Sequence, residues 1–337
     1  MNLLPHNKPT LGKEEEGVAV RVIRSGWVAE GKEVEAFENE FCELLGLPGG
    51  HAVALSSGTA ALFMALWVLG GKGKKTAYPV YACSALRNAA ALAGAEEIVI
   101  DTAPDSPNMD LSVLKKSGAN IAIIPHMFGI PADISGLDGI DVIEDCAQSL
   151  GAIARGVKTG LSGKAGIYSF YATKLITSGG NGGMFVSKDK ALSDAVRDYR
   201  EFDQRRDDKR RFNFQMTDLQ AAIGREQLKK LPWFLARREE IFYIYKDAGL
   251  ELLDSLDTNF IPVRYRAILL TPSSRKIMDS LSKIGVKAIV PVEDWELLGH
   301  KDLFPNAYKL TKSTVSLPIY PSLKESEIDL ITQGVRN

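Results

Sequence analysis

Lys174 is the residue whose type and surroundings most clearly indicate chemistry. It follows an apolar stretch, residues 165–170, and precedes a glycine-dense turn, residues 179–183, that leads into a second apolar run. Glycine is favoured where backbone must approach a ligand or another strand closely. An amine held beside such a turn can form an imine with an aldehyde. A lone lysine at a strand end is usually a surface residue, so other segments must support this interpretation.

A second segment ends an apolar strand in two carboxylates. Residues 140–143 are followed by Glu144, Asp145 and, three residues later, Gln148. Ligands of open parallel sheets bind at the carboxyl ends of the strands. A carboxylate in that place can keep a pyridine nitrogen protonated, which turns the ring into an electron sink. The alternative is that Asp145 simply caps a helix.

A third segment places a hydroxyl-rich turn before a helix. Ser56, Ser57, Gly58 and Thr59 lie between an apolar strand and a strongly helical apolar run. Free N–H groups and the dipole at a helix start bind anions, although the same turn is also typical of an ordinary capped helix. Taken together, the three segments would supply a phosphate cradle, an acid for a ring nitrogen and an amine for an aldehyde. Pyridoxal 5′-phosphate is the cofactor that needs all three.

The motifs also resemble those of the DegT/DnrJ/EryC1/StrS family of pyridoxal-phosphate enzymes, which are mostly sugar aminotransferases of fold type I. The matching stretches occur in the family's order and are residues 25–27, 56–62, 125–133, 144–152, 169–174, 213–216, 227–228, 304–307 and 317–321. The resemblance implies an α/β fold. It has a large domain with a mostly parallel seven-stranded sheet and a smaller C-terminal α+β domain.

The order of apolar segments agrees with that fold. Strand-like runs alternate with helical runs over most of the chain, which is typical of a parallel sheet covered on both faces. The predicted strands are 52–55, 76–79, 97–100, 121–125, 141–144, 165–170 and 184–186. We place the large domain with its N-terminal arm at residues 1–231 and the small domain at residues 232–337, with a helix break at Pro232.

The resemblance also assigns the site residues. Lys174 and Asp145 are the predicted catalytic residues, and Asn213 is expected to reach the phosphate of the neighbouring subunit, so that a homodimer shares its active sites. The predicted cofactor-binding residues are Ser57, Gly58, Thr59, Cys83, Asp145, Gln148, Ser169, Lys174 and Asn213.

The implied reaction moves an amino group from L-glutamate to a keto-sugar, expected to be linked to a nucleotide, through a Schiff base of Lys174. A dehydratase-like or regulatory member that binds the cofactor is the alternative. Relatives with dehydratase chemistry have the lysine replaced, whereas Lys174 is present here. A short-chain dehydrogenase is rejected, because its tyrosine and lysine are four apart while Tyr171 and Lys174 are three apart, and no Gly-x-Gly-x-x-Gly opens the first strand–helix unit.

Several positions depart from the family pattern. The turn at residues 179–183 is one residue longer than usual and lacks a glutamate, and Cys83 stands where an aromatic residue commonly stacks on the cofactor. Gln215 replaces a usual arginine, and residues 291–295 lack an expected histidine. These differences concern the acceptor side of the site more than the cofactor side.

The composition favours a cytoplasmic enzyme. The chain has 337 residues, of which 45% are hydrophobic and 25% charged, and its net charge is −1. No basic stripe indicates nucleic-acid binding, and no apolar run reaches the ~18 residues of a membrane span. The three cysteines have no metal-ligand spacing and leave one unpaired, which is typical of a reducing compartment. The predicted partners are therefore small molecules and a second copy of the chain.

Overall fold

The computed structural model describes residues 3–255 and 257–336, so the outer ends of both predicted domains lie outside the described residues. Its strands are β1 (Ala52–Leu55), β2 (Lys75–Pro79), β3 (Glu96–Ile100), β4 (Ile121–Pro125), β5 (Asp141–Asp145), β6 (Ile153–Ala154), β7 (Val157–Lys158), β8 (Ala165–Ser169), β9 (Gly183–Val186), β10 (Phe260–Ile261), β11 (Ala267–Leu270) and β12 (Thr314–Leu317). Its α-helices are α1 (Lys13–Ser25), α2 (Lys32–Leu45), α3 (Gly58–Val68), α4 (Ala85–Ala93), α5 (Leu111–Leu114), α6 (Lys190–Arg200), α7 (Asp218–Asp247), α8 (Ser274–Lys283), α9 (Pro305–Ser313) and α10 (Glu325–Arg336).

One seven-stranded sheet organises the large part of the molecule. Its strands lie in the order β1-β9-β8-β5-β4-β2-β3. The strands from β8 to β3 pair in parallel, whereas β9 is antiparallel to both β8 and β1. The prediction of an α/β fold with a mostly parallel seven-stranded sheet is therefore confirmed.

Helices cover both faces of this sheet. In β1, Ala52 and Ala54 pack into a cluster with α2 and α7, while Val53 and Leu55 pack on the other face with α3 and α4. This division follows from the alternation of side chains along a strand. Helix α3 is apolar on all sides, and its residues 60–66 are all buried, as expected of a helix inside the core. Both faces of the sheet are thus covered, and its strand ends remain to carry a site.

Helix α7 corrects the predicted helix break. Pro232 lies inside this 30-residue helix, which continues to Asp247. An interior proline costs about 3 kcal/mol. Beyond it, Phe234, Ile241 and Tyr245 are fully buried, and burying such side chains contributes about 1.5–3 kcal/mol each, which outweighs that cost. The division at residues 231 and 232 falls within this helix and stays a prediction.

The C-terminal third forms the smaller layer. Strands β11 and β12 pair in antiparallel fashion, and α8 and α10 pack beside them around a separate apolar cluster that includes Ile241 and Tyr245 of α7. Near the other end of the chain, Leu4 joins this cluster and pairs with Val286. None of the helices in the described ranges combines the length and apolar composition that crossing a membrane requires.

Candidate active site

A cavity of about 210 Å³ lies at the edge of the sheet where the parallel strands end. Turns at the ends of β1, β2, β4, β5 and β8 contribute its walls, together with the turn that precedes the antiparallel strand β9. This is the edge at which open α/β sheets bind ligands. Of the nine predicted site residues, the cavity brings together eight, which are Ser57, Gly58, Thr59, Cys83, Asp145, Gln148, Ser169 and Lys174.

The start of α3 forms an anion cradle at one end of the cavity. Ser57 caps this helix, and its Oγ accepts the N–H of Ala60 at 3.1 Å. A Cβ added to Gly58 would lie 2.8 Å from the Cβ of Ser169, so the absence of a side chain lets the two turns touch. The helix N-terminus and these hydroxyls therefore face the cavity together, which suits a phosphate group.

The glycine turn that follows Lys174 returns to the same cradle. Gly183 pairs with Leu55 across β1 and β9. A Cβ on Gly183 would lie only 2.3 Å from the carbonyl oxygen of Ser57, which is a backbone atom and cannot move cheaply. The requirement for glycine here is therefore steric, and it ties the lysine-bearing segment to the anion cradle.

Asp145 presents a buried carboxyl at the end of β5. Its Oδ1 accepts the N–H of Ala147 at 2.9 Å, and no lysine, arginine or histidine nitrogen of the described chain lies within 4.0 Å of the carboxyl. Burial raises the pKa of Asp145, although the charges of Lys174 and His126 oppose this effect. A buried carboxyl that lines the cavity, and whose Oδ2 has no hydrogen bond from the described residues, fits the protonated ring nitrogen of pyridoxal 5′-phosphate.

Glu144 beside it has a different task. Its carboxylate accepts N–H bonds from Gly160, Ser162 and Gly163 at 2.6–2.9 Å and pairs with His126 at 3.0 Å. Burial alone would raise the pKa of Glu144, but the bonds from His126, Gly160 and Gly163 lower it. Glu144 thus stabilises the end of β5, whereas Asp145 is the carboxylate that lines the cavity.

The cluster of His126, Glu144 and Cys146 brings possible metal-ligand atoms within 4.8 Å of one another. Both ring nitrogens of His126 are engaged, because Nδ1 accepts the N–H of Ala132 at 3.0 Å and Nε2 contacts Glu144. Both carboxylate oxygens of Glu144 already accept N–H groups. Burial raises the pKa of the Cys146 thiol well above its usual value. These contacts describe a hydrogen-bonded support, and a metal would have to break it.

Gln148 is fixed by a strained turn. Its Oε1 accepts the N–H of Phe128 at 2.8 Å, and Phe128 adopts a φ of 59°, which is uncommon for a bulky residue. The next residue, Gly129, has a φ of 90° and approaches Val263 so closely that a Cβ would meet its carbonyl oxygen at 2.1 Å. Such strain is often found where a site must be held in one geometry.

Lys174 lies in the turn after β8 and faces two cavities. Its N–H donates to the carbonyl of Tyr171 at 2.9 Å, and its Nζ lies 5.4 Å from the centre of the Tyr265 ring. The neighbouring carbonyl of Thr173 accepts the Asn7 side-chain amide at 2.8 Å. The lysine is therefore held by its own turn, by the N-terminal segment and by an aromatic residue from the C-terminal third.

The second cavity, of about 480 Å³, adjoins the first and shares Cys83, Gln148 and Lys174 with it. Its far wall includes Tyr265, Arg266 and residues 291, 292 and 295–297. Sequence reasoning missed Tyr265 and Arg266. The sequence signal that could have found them is the charged and aromatic run before the apolar strand that begins at Ala267. Nothing in the local sequence distinguishes this run from the start of the strand itself.

Asn213 lies outside both cavities and is exposed. Its Oδ1 accepts the N–H of Gln215 at 3.0 Å. The segment is anchored next to the anion cradle, because Ser56 donates its N–H to the carbonyl of Phe214 at 2.8 Å and Leu55 pairs with Gln215. The side chain therefore projects from the surface beside the site, and its role in a partner subunit stays a prediction.

Comparisons with known proteins agree with this arrangement. Residues 9–336 match the DegT/DnrJ/EryC1/StrS aminotransferase family. The chain is 30% identical to the spore coat polysaccharide biosynthesis protein SpsC of Bacillus subtilis, over 100% of this chain and 97% of the relative. It is 28% identical to GDP-perosamine synthase of Escherichia coli O157:H7, over 99% and 98% of the two chains. The solved structure of the aminotransferase TlmJ from Streptoalloteichus hindustanus is 25% identical and superposes with a TM-score of 0.92 over 99% of this chain and 98% of that one.

Proposed function

Because this chain belongs to the DegT/DnrJ/EryC1/StrS aminotransferase family, we propose that it transfers the amino group of L-glutamate to a keto-sugar carried on a nucleotide. The enzyme class, a pyridoxal-phosphate-dependent aminotransferase, and the cofactor predicted from the sequence are both confirmed by the family. The donor, the nucleotide and the roles of individual residues are the proposal. It rests mainly on one observation, namely that Lys174, Asp145 and the α3 anion cradle face one cavity.

The residues of the cavity suit the cofactor's chemical groups. When bound, pyridoxal 5′-phosphate supplies an aldehyde that bonds to amines and a ring that accepts electrons. We assign the phosphate to Ser57, Gly58, Thr59 and Ser169 at the start of α3. Gln148 and Cys83 would border the ring. These two residues also line the second cavity, so they separate the cofactor from the substrate space.

Asp145 and Lys174 would perform different parts of the reaction. Asp145 would keep the ring nitrogen protonated, because its ionised carboxylate stabilises the positive charge of the protonated ring. Lys174 would hold the cofactor through its amine. When that amine is free, its Nζ would accept the proton from the α-carbon of the donor and, in the second half of the reaction, would give a proton to the sugar carbon that receives the amino group. The position of Lys174 between the two cavities supports both tasks.

The acceptor proposal draws on the relatives. The name of GDP-perosamine synthase refers to a nucleotide-linked sugar, and SpsC is named for polysaccharide biosynthesis. The second cavity, at about 480 Å³, offers more room than the first and opens beside Lys174. We infer that the sugar enters from this side.

The test separates transamination from the two alternatives. Enzyme loaded with cofactor is mixed with L-glutamate and no acceptor, and 2-oxoglutarate is quantified chemically. We expect about one equivalent per active site, followed by continuous turnover when a suitable nucleotide keto-sugar is added. A regulatory protein would release no 2-oxoglutarate, and a dehydratase-like protein would form no amino sugar from the keto-sugar; either result would refute the proposed function.

The homodimer is a separate proposal. Asn213 is exposed beside the anion cradle, and residues 201–210 before it are mostly polar and exposed, as a segment ordered by a partner would be. Asn213→Asp should weaken cofactor binding, since it adds a carboxylate near the phosphate. In mixed dimers of Lys174→Ala and Asn213→Asp subunits, one site carries both changes and the other is intact, so activity should partly return. Subunit exchange without any recovery would show that Asn213 does not act across the dimer.

A further inference from the structure

Arg266 carries a guanidinium that faces the second cavity without an acidic partner. Its Nη1 contacts His6 Nε2 at 3.2 Å and Ser316 Oγ at 3.3 Å. Within the described residues, no carboxylate oxygen lies within 4.0 Å of it, although most arginines of the molecule are paired in this way. Two of its nitrogens, Nε and Nη2, have no protein hydrogen-bond partner in the described chain. A guanidinium in this state offers a fork of donors that matches a carboxylate.

Positively charged side chains near Arg266 further favour the binding of an anion. Lys174 lines the same cavity as Arg266. Behind them Arg238 is buried and donates to the backbone carbonyls of Arg264, Tyr265 and Ile319, which are neutral. Glu296 is the cavity's acidic residue in the described chain, but it is exposed and accepts the N–H of Glu293. The inner wall therefore has an excess of positive charge that a bound anion would balance.

His6 presents Arg266 to the cavity while remaining uncharged. Burial, together with the charges of Arg266, Lys287 and Arg238, lowers the pKa of His6 to about 3. A neutral imidazole can accept the guanidinium N–H, which a charged ring could not do. Ser316 Oγ lies 2.8 Å from the same ring nitrogen and completes the support. Arg266 is thus oriented by a segment that is 260 residues distant in the sequence.

The position of Arg266 relative to Lys174 indicates which anion it would bind. The Cζ of Arg266 and the Nζ of Lys174 each lie 5.4 Å from the centre of the Tyr265 ring. Both side chains also line the second cavity, so an anion on Arg266 would share that cavity with the amine. In an amino acid, the carboxylate is attached directly to the carbon that loses its proton. In a nucleotide sugar, the diphosphate is attached at the anomeric carbon, and ring atoms separate it from a reacting carbon elsewhere in the sugar.

We propose that Arg266, held by His6 and Ser316, is the binding residue for a carboxylate of the amino donor. This assignment rests on the proposed function, because it names a contact of the donor in that reaction. Arg266 binds the carboxylate through Nε and Nη2, and His6 acts as a positioning residue behind it. The donor's α-carbon is then directed toward Lys174.

The first test measures binding without reaction. Glutarate has the two carboxylates of the donor but no amino group, and its affinity for the cofactor-loaded enzyme can be measured by calorimetry. Arg266→Gln should weaken glutarate binding by about 10- to 100-fold, the range expected for a lost charged hydrogen bond. Arg266→Lys should retain part of the affinity, because it keeps the charge but loses the fork. The control is Lys287→Gln, which removes an exposed charge that influences His6 but lines neither cavity. It should stay within about twofold of wild type.

The positioning role of His6 is tested by a pair of variants. His6→Ala should weaken glutarate binding several-fold, and His6→Gln should restore most of it, since a glutamine oxygen can accept the same N–H. Equal affinities in these two variants would remove His6 from the proposal. Unchanged glutarate binding in Arg266→Gln would overturn the assignment of Arg266. So would a loss confined to nucleoside diphosphate binding, because the anion would then belong to the acceptor.

Failure of the Arg266 assignment can be distinguished from failure of the proposed function. If wild-type enzyme releases no 2-oxoglutarate from glutamate, the proposed function fails, whereas the calorimetry still tests whether Arg266 binds a carboxylate. If the wild type does release it, Arg266→Gln should approach the same single-turnover amplitude at saturating glutamate but require a higher glutamate concentration. A normal concentration dependence in that variant would contradict the proposal.

Discussion

The two walls of the Lys174 site are built in different ways. The cofactor side consists of short turns at strand ends, where backbone contacts such as that of Gly183 with Ser57 fix the geometry. The opposite side consists of long side chains, including Tyr265 and Arg266, from segments that reach the site only through the packing of the small C-terminal layer. The first wall is therefore fixed mainly by backbone, whereas the second depends on side chains, which under the proposed function would contact the substrate.

The largest effect is expected from Lys174, which both walls share. Under the proposed function, Lys174→Ala would remove the covalent attachment and the proton carrier together, so both half-reactions should fall by at least about 10³-fold. Cofactor binding should persist, because the anion cradle and Asp145 are unchanged. Single-turnover release of 2-oxoglutarate and equilibrium dialysis of the cofactor measure the two properties. Appreciable turnover in this variant would mean that another group does the chemistry.

Asp145 is the most sensitive position on the cofactor side apart from the lysine. Asp145→Asn should lower kcat by about 10²-fold or more while changing KM much less, since the carboxylate acts on charge that appears in the transition state. Steady-state kinetics with saturating acceptor provides the comparison. Near-normal turnover would reduce Asp145 to a structural residue at the end of β5.

Asp145→Asn, which should lower kcat, should increase the stability of the cofactor-free protein at neutral pH. Since burial raises the pKa of Asp145 above its ordinary value of 3.8, the cofactor-free folded protein holds this proton more tightly than the unfolded chain. The stability that this proton contributes is therefore present below the ordinary pKa and is lost as the pH rises through the pKa of Asp145 in the folded protein. Cofactor-free Asp145→Asn should be more stable than wild type at neutral pH, and the difference should shrink near pH 3.8. Urea unfolding at several pH values tests the sign.

Gly183 tests the rigidity of the cofactor wall. Gly183→Ala would place a methyl group 2.3 Å from the Ser57 carbonyl oxygen, and we expect cofactor affinity to fall by at least about tenfold as the cradle shifts. The control is Gly17→Ala in α1, where a Cβ meets no atom within 4 Å. This change should stabilise the protein by about 0.5–1 kcal/mol and leave cofactor binding unchanged. Equal cofactor affinity in both variants would contradict the account.

Tyr265 should give the smallest effect, on the substrate side. Tyr265→Phe keeps the ring beside Lys174, so kcat at neutral pH should fall by less than about tenfold. Burial raises the pKa of Tyr265, but the charges of Lys174, Arg266 and Arg238 outweigh it and lower the pKa. A tyrosinate would form beside Lys174 as the pH rises, and phenylalanine cannot ionise. The alkaline limb of the pH–rate profile should therefore shift to higher pH in the variant. A hundredfold loss of kcat at neutral pH would instead show that the hydroxyl takes part in the reaction.

The contrast between the walls also explains what the sequence could predict. Ser57, Asp145 and Ser169 each lie at or just beyond the end of an apolar strand, so the rule that parallel strands end at one edge is enough to place them together from the sequence. Tyr265 and Arg266 carry no such signal, because their position depends on how β11 pairs with β12 and on the N-terminal contact of His6. The predicted break in helix α7 is wrong for a related reason. Local proline chemistry favours a break at Pro232, and burial in two separate clusters overrides it.

Reductive trapping can detect the proposed covalent bond between Lys174 and the cofactor. Borohydride should fix the cofactor to the protein, and mass mapping of the digested, reduced enzyme should locate it on the peptide that contains Lys174. Lys164 lies just before β8, at the far edge of the sheet, and Lys158 donates to the carbonyl of Leu44, so neither faces the cavity. Label on Lys174 alone is the predicted result. Label on Lys164 or Lys158, or no covalent label in enzyme that retains bound cofactor, would contradict the assignment of the site.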